Sequence, residues 1–209
     1  MNIVKALLKR SLFFLVKNNI NCQENCAAIT FDDGPHPEYT HKVLEVLDEF
    51  NAKATFFMVG ENVLKYPEIA KKVIDKGHVV ANHSITHPEF KLIELTKIKE
   101  EIAGMQKILS TMIRPFKYYR PPKGVISIKV LIASMLNGVK IVLWSKDPKD
   151  YAASSTEEIV NYFEINSIRP GDIVLLHDKS EHTVNALKII LRSLSDNNIK
   201  PVSIKEEML

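Results

Sequence analysis

Residues 27–35 read Ala27-Ala28-Ile29-Thr30-Phe31-Asp32-Asp33-Gly34-Pro35, a β-rich apolar run that stops on two aspartates and a Gly-Pro turn. The run does not alternate between apolar and polar residues, which is the pattern of a strand covered on both faces of a parallel sheet. A helical pattern from Pro37 to Phe50 follows it, and a second apolar run, Ala54 to Val59, comes next. Strand, helix and strand within roughly thirty residues make one right-handed βαβ unit.

The unit then repeats without a linker. Further β-rich runs occupy His78 to Ala81, Lys117 to Tyr119, Ile141 to Trp144, Asp172 to Leu176 and Pro201 to Ile204. Helical patterns occupy Tyr66 to Lys76, Leu95 to Met112, Ile126 to Leu136, Thr156 to Ile168 and Thr183 to Leu194. The clearest is Leu95 to Met112, where Ile98, Ile102, Met105, Ile108 and Leu109 step by three and four along one face. This alternation predicts an α/β fold, an incomplete or distorted (β/α) barrel with about seven parallel strands, because a full eightfold barrel takes about 250 residues. Chemistry in such a barrel sits just past the strand ends. Polar residues do gather there: Asp32 and Asp33 after the first run, His83 and His87 after the third, Arg120 after the fourth, Asp147 and Asp150 after the fifth, His177 and Asp178 after the sixth.

The chain has 209 residues, 45% of them hydrophobic and 25% charged, enough for a core that needs no structural metal or disulfide. Its net charge of +3 is unevenly placed. Residues 1–23 hold Lys5, Lys9, Arg10 and Lys17 and no acid, which leaves 24 basic against 25 acidic residues in the rest. A neutral body has no basic stripe for nucleic acid. The sequence therefore divides into a basic amphipathic helix at 1–23 and a catalytic domain at 27–209. On a helix, Ile3, Val4, Leu7, Leu8, Leu12, Phe14 and Leu15 share a face opposite the cations, which suits docking on the domain or peripheral contact with an anionic membrane through residues 1–20. No small-x-small cleavage site precedes Cys22, so the expected location is the cytoplasm, at the inner membrane face, with export as the alternative. Cys22 and Cys26, spaced C-x3-C, match neither a zinc knuckle nor a redox C-x-x-C and are expected as thiols, with a disulfide only on export.

Successive side chains diverge in extended chain, so one of Asp32 and Asp33 can face a metal while the other faces substrate. Taken alone, Asp-Asp-Gly-Pro is more often a turn than a site. His83 and His87 lie four residues apart, close enough to chelate one ion if the segment is helical or tightly turned, and Pro88 ends such a turn. Two histidines and one carboxylate leave coordination positions open, as catalytic metal sites do.

The ordered set Thr30-Phe31-Asp32-Asp33-Gly34-Pro35, His83-Ser84-x-x-His87, Arg120-Pro121-Pro122-Lys123-Gly124, Trp144 with Asp147 and Asp150, and Leu175-Leu176-His177 resembles the polysaccharide deacetylase family, carbohydrate esterase family four. The resemblance covers about residues 27–204. It implies that Asp32 is the general base, that Asp33, His83 and His87 hold one divalent metal, and that Arg120 holds the base carboxylate in place. It makes His177 the general acid, oriented by Asp147 or Asp150, of which Asp150 is favoured by its place before an aromatic. Trp144 and Leu175 resemble the lining around the acyl methyl, and the backbone N–H of Lys123 an oxyanion donor. His36, in the loop after the aspartates, is a further candidate substrate contact, whereas His41, His78 and His182 read as exposed helix or loop residues. Lys123 stands where the family usually has tyrosine, and Tyr151 where it has tryptophan, which alters the cleft wall rather than the chemistry.

The implied activity is hydrolysis of a linear amide, removing an N-acetyl or N-formyl group from an amino sugar of a glycan or lipid-linked saccharide. The alternatives are de-O-acetylation of a polysaccharide ester and a catalytically silent sugar-binding domain. The metal implied is zinc, with cobalt, nickel or manganese also suited to an Asp-His-His set.

Overall fold

A computed structural model describes residues 15–22 and 24–209. Its strands are β1 (Val16–Lys17), β2 (Cys26–Asp32), β3 (Thr55–Met58), β4 (Val79–Asn82), β5 (Tyr118–Tyr119), β6 (Lys140–Val142), β7 (Ile173–His177) and β8 (Lys200–Val202). Its helices are α1 (Tyr39–Glu49), α2 (Gly60–Lys65), α3 (Pro67–Asp75), α4 (Leu95–Ser110), α5 (Ile128–Leu136), α6 (Thr156–Ile165) and α7 (Glu181–Asp196). The strands run in the order β1-β6-β5-β4-β3-β2-β7, with β8 beside the first half of β2, and every pair is parallel.

β2 is buried along its whole length, which is why its sequence is continuously apolar. Phe31 stacks on Phe56 of β3 with ring centroids 5.0 Å apart. Outside the sheet, Val43, Leu44 and Leu47 of α1 meet Leu187, Ile190 and Leu191 of α7 in one core. Each such side chain contributes on the order of 1.5–3 kcal/mol on burial. Serines 127, 155 and 180 start α5, α6 and α7, each side chain accepting from the backbone N–H three residues on.

Between β6 and β7 the ring closes irregularly. Ser145 donates its N–H to the Ile173 carbonyl at 3.0 Å, and Leu175 donates to Lys146 at 2.9 Å. One isolated bridge, Lys146 with Val174, stands in for a regular strand. This is the incomplete (β/α) barrel expected from the sequence, with the chemistry-bearing residues at the carboxyl ends of its strands.

Two elements differ from expectation. Val16 and Lys17 pair with Ile141 and Val142 rather than continuing a helix. Leu15 packs among Phe90, Tyr119 and Val130, Ile20 donates to the Gly171 carbonyl at 2.9 Å, and the domain therefore extends back at least to Leu15. A short apolar run fits either period, and here the unpaired edge of β6 decides for strand. Residues 1–14 of the expected helix lie outside the described residues. The cysteines differ too: Cys22 and Cys26 form a disulfide rather than two thiols, with a Cα–Cα distance of 6.0 Å. The bond fastens this amino-terminal stretch to the first residue of β2. The second new element is α2, which follows β3 directly and is too short for a helical period to register.

Among the described residues no helix is long and apolar enough to cross a membrane.

Candidate active site

Asp32 ends β2 and Asp33 begins the following turn with a left-handed backbone, φ 72°. That turn sends the two carboxylates different ways. Asp32 Oδ1 accepts from Arg120 Nη1 at 2.6 Å, while Asp33 Oδ1 lies 3.4 Å from His83 Nε2 and 3.3 Å from His87 Nε2. One ligand atom from each of Asp33, His83 and His87 falls within 4.8 Å of the others.

Several features fit this trio to a cation. His83 Nδ1 lies 2.8 Å from the Arg120 carbonyl, which can only accept, so Nδ1 carries a proton and Nε2 is the nitrogen turned to the site. Burial alone would raise the Asp33 pKa, but His83 and Lys179 outweigh it and hold the carboxyl well below the usual range. Lys179 Nζ takes the other oxygen, Oδ2, at 3.0 Å. Burial and the neighbouring His83 lower the pKa of His87, favouring the neutral form that ligates metal.

Arg120 is fully buried. Nε donates to the Val142 carbonyl at 3.0 Å, Nη2 to Leu143 at 2.9 Å, and Nη1 also to Thr30 Oγ1 at 2.9 Å. Thr30 in turn donates to the Val174 carbonyl at 2.7 Å. The guanidinium lies 4.0 Å from the Phe57 ring centroid. A planar donor fork hydrogen-bonded to β2 and to the end of β6 leaves Asp32 one orientation.

His177 ends β7. Its Nδ1 is 2.8 Å from Asp150 Oδ1, and its backbone N–H donates to Oδ2 at 2.7 Å. Thr183 donates to the same Oδ2 at 2.8 Å. Burial disfavours the imidazolium, but Asp150, Asp32 and Asp33 outweigh it and raise the pKa. Tyr151 sets its ring edge-on to His177, centroids 5.3 Å apart. Of the two aspartates considered for this partner, Asp150 makes the contact. Asp147 Oδ1 instead accepts from the Lys149 N–H at 2.9 Å and closes its own turn at the cleft wall.

These side chains surround a cleft of about 470 Å³, lined also by Lys123, Trp144, Tyr151, Leu175 and Lys179. The Trp144 indole lies so close over Gly124 that a methyl there would approach it to 2.7 Å. Lys123 has a left-handed backbone, φ 54°, and its ammonium pairs with Glu89 at the rim.

Two histidines stand elsewhere than expected. His36 is not a cleft residue: its Nδ1 accepts from the N–H groups of Glu38 and Tyr39, both at 3.2 Å, and burial lowers its pKa. It caps α1, a job imidazole can do when neutral. His78 is buried rather than exposed, accepts from the Ala54 N–H at 3.2 Å, and burial drives its pKa down to about 4.

Sequence reasoning gave no role to Glu101, Asp178 or Lys179. Asp178 is buried beneath the aspartate turn, accepts from the Thr40 hydroxyl, and burial pushes its carboxyl up to about 7. A methyl on Gly34 would come within 2.7 Å of Asp178 Oδ2, so the turn rests on this carboxyl through a glycine. Glu101 had a visible signal, three residues after Ile98 and within the apolar stripe of α4.

Fold and site together place a candidate two-histidine, one-carboxylate metal centre beside Asp32 and His177, at the carboxyl ends of the strands of a (β/α) barrel. The chain belongs to the polysaccharide deacetylase family, which matches residues 19–142. It is 37% identical over 188 residues to a peptidoglycan-N-acetylglucosamine deacetylase of Bacillus cereus, covering 88% of each protein. It is 38% identical over 152 residues to a chitooligosaccharide deacetylase of Bradyrhizobium sp., covering 72% of this chain and 69% of the relative. A solved peptidoglycan N-acetylglucosamine deacetylase, in complex with 4-naphthalen-1-yl-N-oxidanyl-benzamide, superposes with a TM-score of 0.85 at 30% identity, covering 93% of this chain and 92% of the other.

Proposed function

We propose that the protein hydrolyses the N-acetyl group of an amino sugar in a glycan, with Asp32 as general base, His177 as general acid and a divalent cation held by Asp33, His83 and His87. The observation that carries this reading is the convergence of that trio with Asp32 and His177 on one cleft. Relatives named for peptidoglycan and chitooligosaccharide deacetylation support a glycan of N-acetylated glucosamine as the substrate class.

When bound, the cation lowers the pKa of a water and polarises the acyl oxygen. Asp32, fixed by Arg120, takes the proton of the attacking water. His177 delivers a proton to the departing nitrogen, because an amine leaves poorly unless protonated. Its Nδ1 is committed to Asp150, so Nε2 is the atom that faces the cleft. The Lys123 N–H donates to the developing oxyanion. Trp144, Leu175 and Tyr151 give the acyl methyl an apolar wall.

A panel of N-acetylated sugars, from free monosaccharide to oligosaccharide, peptidoglycan and lipid-linked saccharide, with an O-acetylated polysaccharide beside them, tests the reading by release of free amine and of acetate in the presence of zinc. Amine release from an oligomer supports it. Acetate released only from O-acetylated polysaccharide points to the esterase reaction, and no product from any member refutes catalysis.

A further inference from the structure

We infer that Glu101 is a positioning residue for the metal centre, setting the separation of His83 and His87 from a helix that supplies no ligand. The inference rests on the metal reading above.

The three residues between the histidines are not a helix. Ser84 and His87 both have left-handed backbones, with φ 69° and 53°. Such conformations are disfavoured for residues with a Cβ and persist only where surrounding contacts hold them. Here the loop's backbone groups are held from three directions. Its carbonyls face the start of α2, where Gly60 N–H donates to Ser84 at 2.9 Å and Glu61 N–H to Ile85 at 2.9 Å. Its first and last N–H groups are satisfied locally, Ser84 by Asn82 Oδ1 at 2.9 Å and His87 by Ser84 Oγ at 3.1 Å. The two in the middle, Ile85 and Thr86, both donate to Glu101 Oε2 at 2.9 Å, and Thr86 Oγ1 donates to Oε1 at 3.1 Å.

Glu101 is fully buried, with Lys97 Nζ 3.7 Å away on the same helix. A buried carboxylate needs its oxygens filled, and here backbone N–H groups of the ligand loop help fill them. α4 also gives way at Gly104, where a methyl would collide with Ile85 Cδ1. One helix thus holds the loop polar-side by Glu101 and apolar-side by the space at Gly104, and the two imidazoles project from its ends. Partners of this indirect kind typically change metal affinity about 10- to 100-fold when removed.

The test is calorimetric titration of zinc into the full chain stripped of metal, with the Co2+ visible spectrum as a report on coordination geometry. Glu101→Ala is expected to weaken zinc binding about 10- to 100-fold and alter the Co2+ spectrum. Glu101→Gln, whose amide oxygen can still accept from both N–H groups, should stay within about threefold of wild type. Glu101→Asp keeps the charge but retracts the oxygens, and should behave like alanine; it also serves if Glu101→Ala fails to fold. Wild-type affinity and spectrum in folded Glu101→Ala or in Glu101→Asp would overturn the inference and leave the metal reading standing. Absence of stoichiometric zinc from the wild-type chain would overturn both.

Discussion

Asp32 and His177 are register partners: they stand opposite each other on β2 and β7, at the carboxyl ends of adjacent parallel strands. The pairing brings the proposed base and acid together through backbone hydrogen bonding, although 145 positions separate them in the sequence. Each is then aimed by a separate buried partner, Arg120 for Asp32 and Asp150 for His177. Asp32→Asn is expected to keep its metal and lose about 10²-fold or more in turnover, and His177→Ala likewise. Metal analysis beside a kcat measurement checks both; full turnover in either variant removes that residue from the proton path.

The acid also predicts a pH profile. A general acid must be protonated, and the carboxylates around His177 raise its pKa above the ordinary 6.5 despite burial. Activity should therefore persist above that pH and fall as the solution rises through the raised value. Asp150→Asn preserves the shape but removes the charge that most favours the imidazolium, so the alkaline fall should move to lower pH. An unchanged limb would assign it to another group.

Most of the fold was legible because the chain repeats one unit and its strands carry their chemistry just past their ends. The Asp32-Asp33, His83-x3-His87, Arg120 and His177 positions are local features of short stretches. The support beneath them was harder to read. Asp178 acts across a glycine contact, Glu101 across a helix–loop contact, and His36 looks like a cleft residue until the helix start consumes its lone pair. Each depends on a neighbour distant in sequence. The Val16–Lys17 strand stayed hidden for another reason, since its partner β6 alone decides its conformation.

Asp178 makes a stability prediction. In the folded protein burial holds its pKa near about 7, whereas an unfolded aspartate titrates near 3.8. The folded state therefore binds the extra proton between these values, and this contribution to stability is full below the lower one and declines as pH rises toward the upper. Asp178→Asn stays neutral throughout. Thermal melts from pH 4 to 7 should show the wild type losing several degrees relative to the variant; parallel curves would show that the carboxyl does not change its proton on folding.

The basic segment before Leu15 remains a proposal for contact with an anionic surface, worth about 1 kcal/mol for each cation close to it. Because Leu15 and Ile20 belong to the barrel core, the informative truncation removes residues 1–14 and no more. It should abolish sedimentation with anionic vesicles while leaving a folded domain. Equal sedimentation of both forms would rule out the segment as the anchor. Compartment is a separate question; for it we propose an oxidising one, the condition under which a Cys22–Cys26 disulfide persists. Alkylation of the protein inside its own cells should leave both cysteines unlabelled before reduction; labelling would return it to a reducing compartment.

The central claim is that Asp33, His83 and His87 hold a cation on which glycan N-deacetylation depends. It is tested most directly by measuring amine release from an N-acetylglucosamine oligosaccharide before chelation, after chelation and after zinc is returned, with His83→Ala in parallel. Loss of activity on chelation, recovery with about one zinc per chain, and neither metal nor activity in His83→Ala are the predicted results. Undiminished amine release from the metal-free protein, or stoichiometric metal retained by His83→Ala, would contradict it.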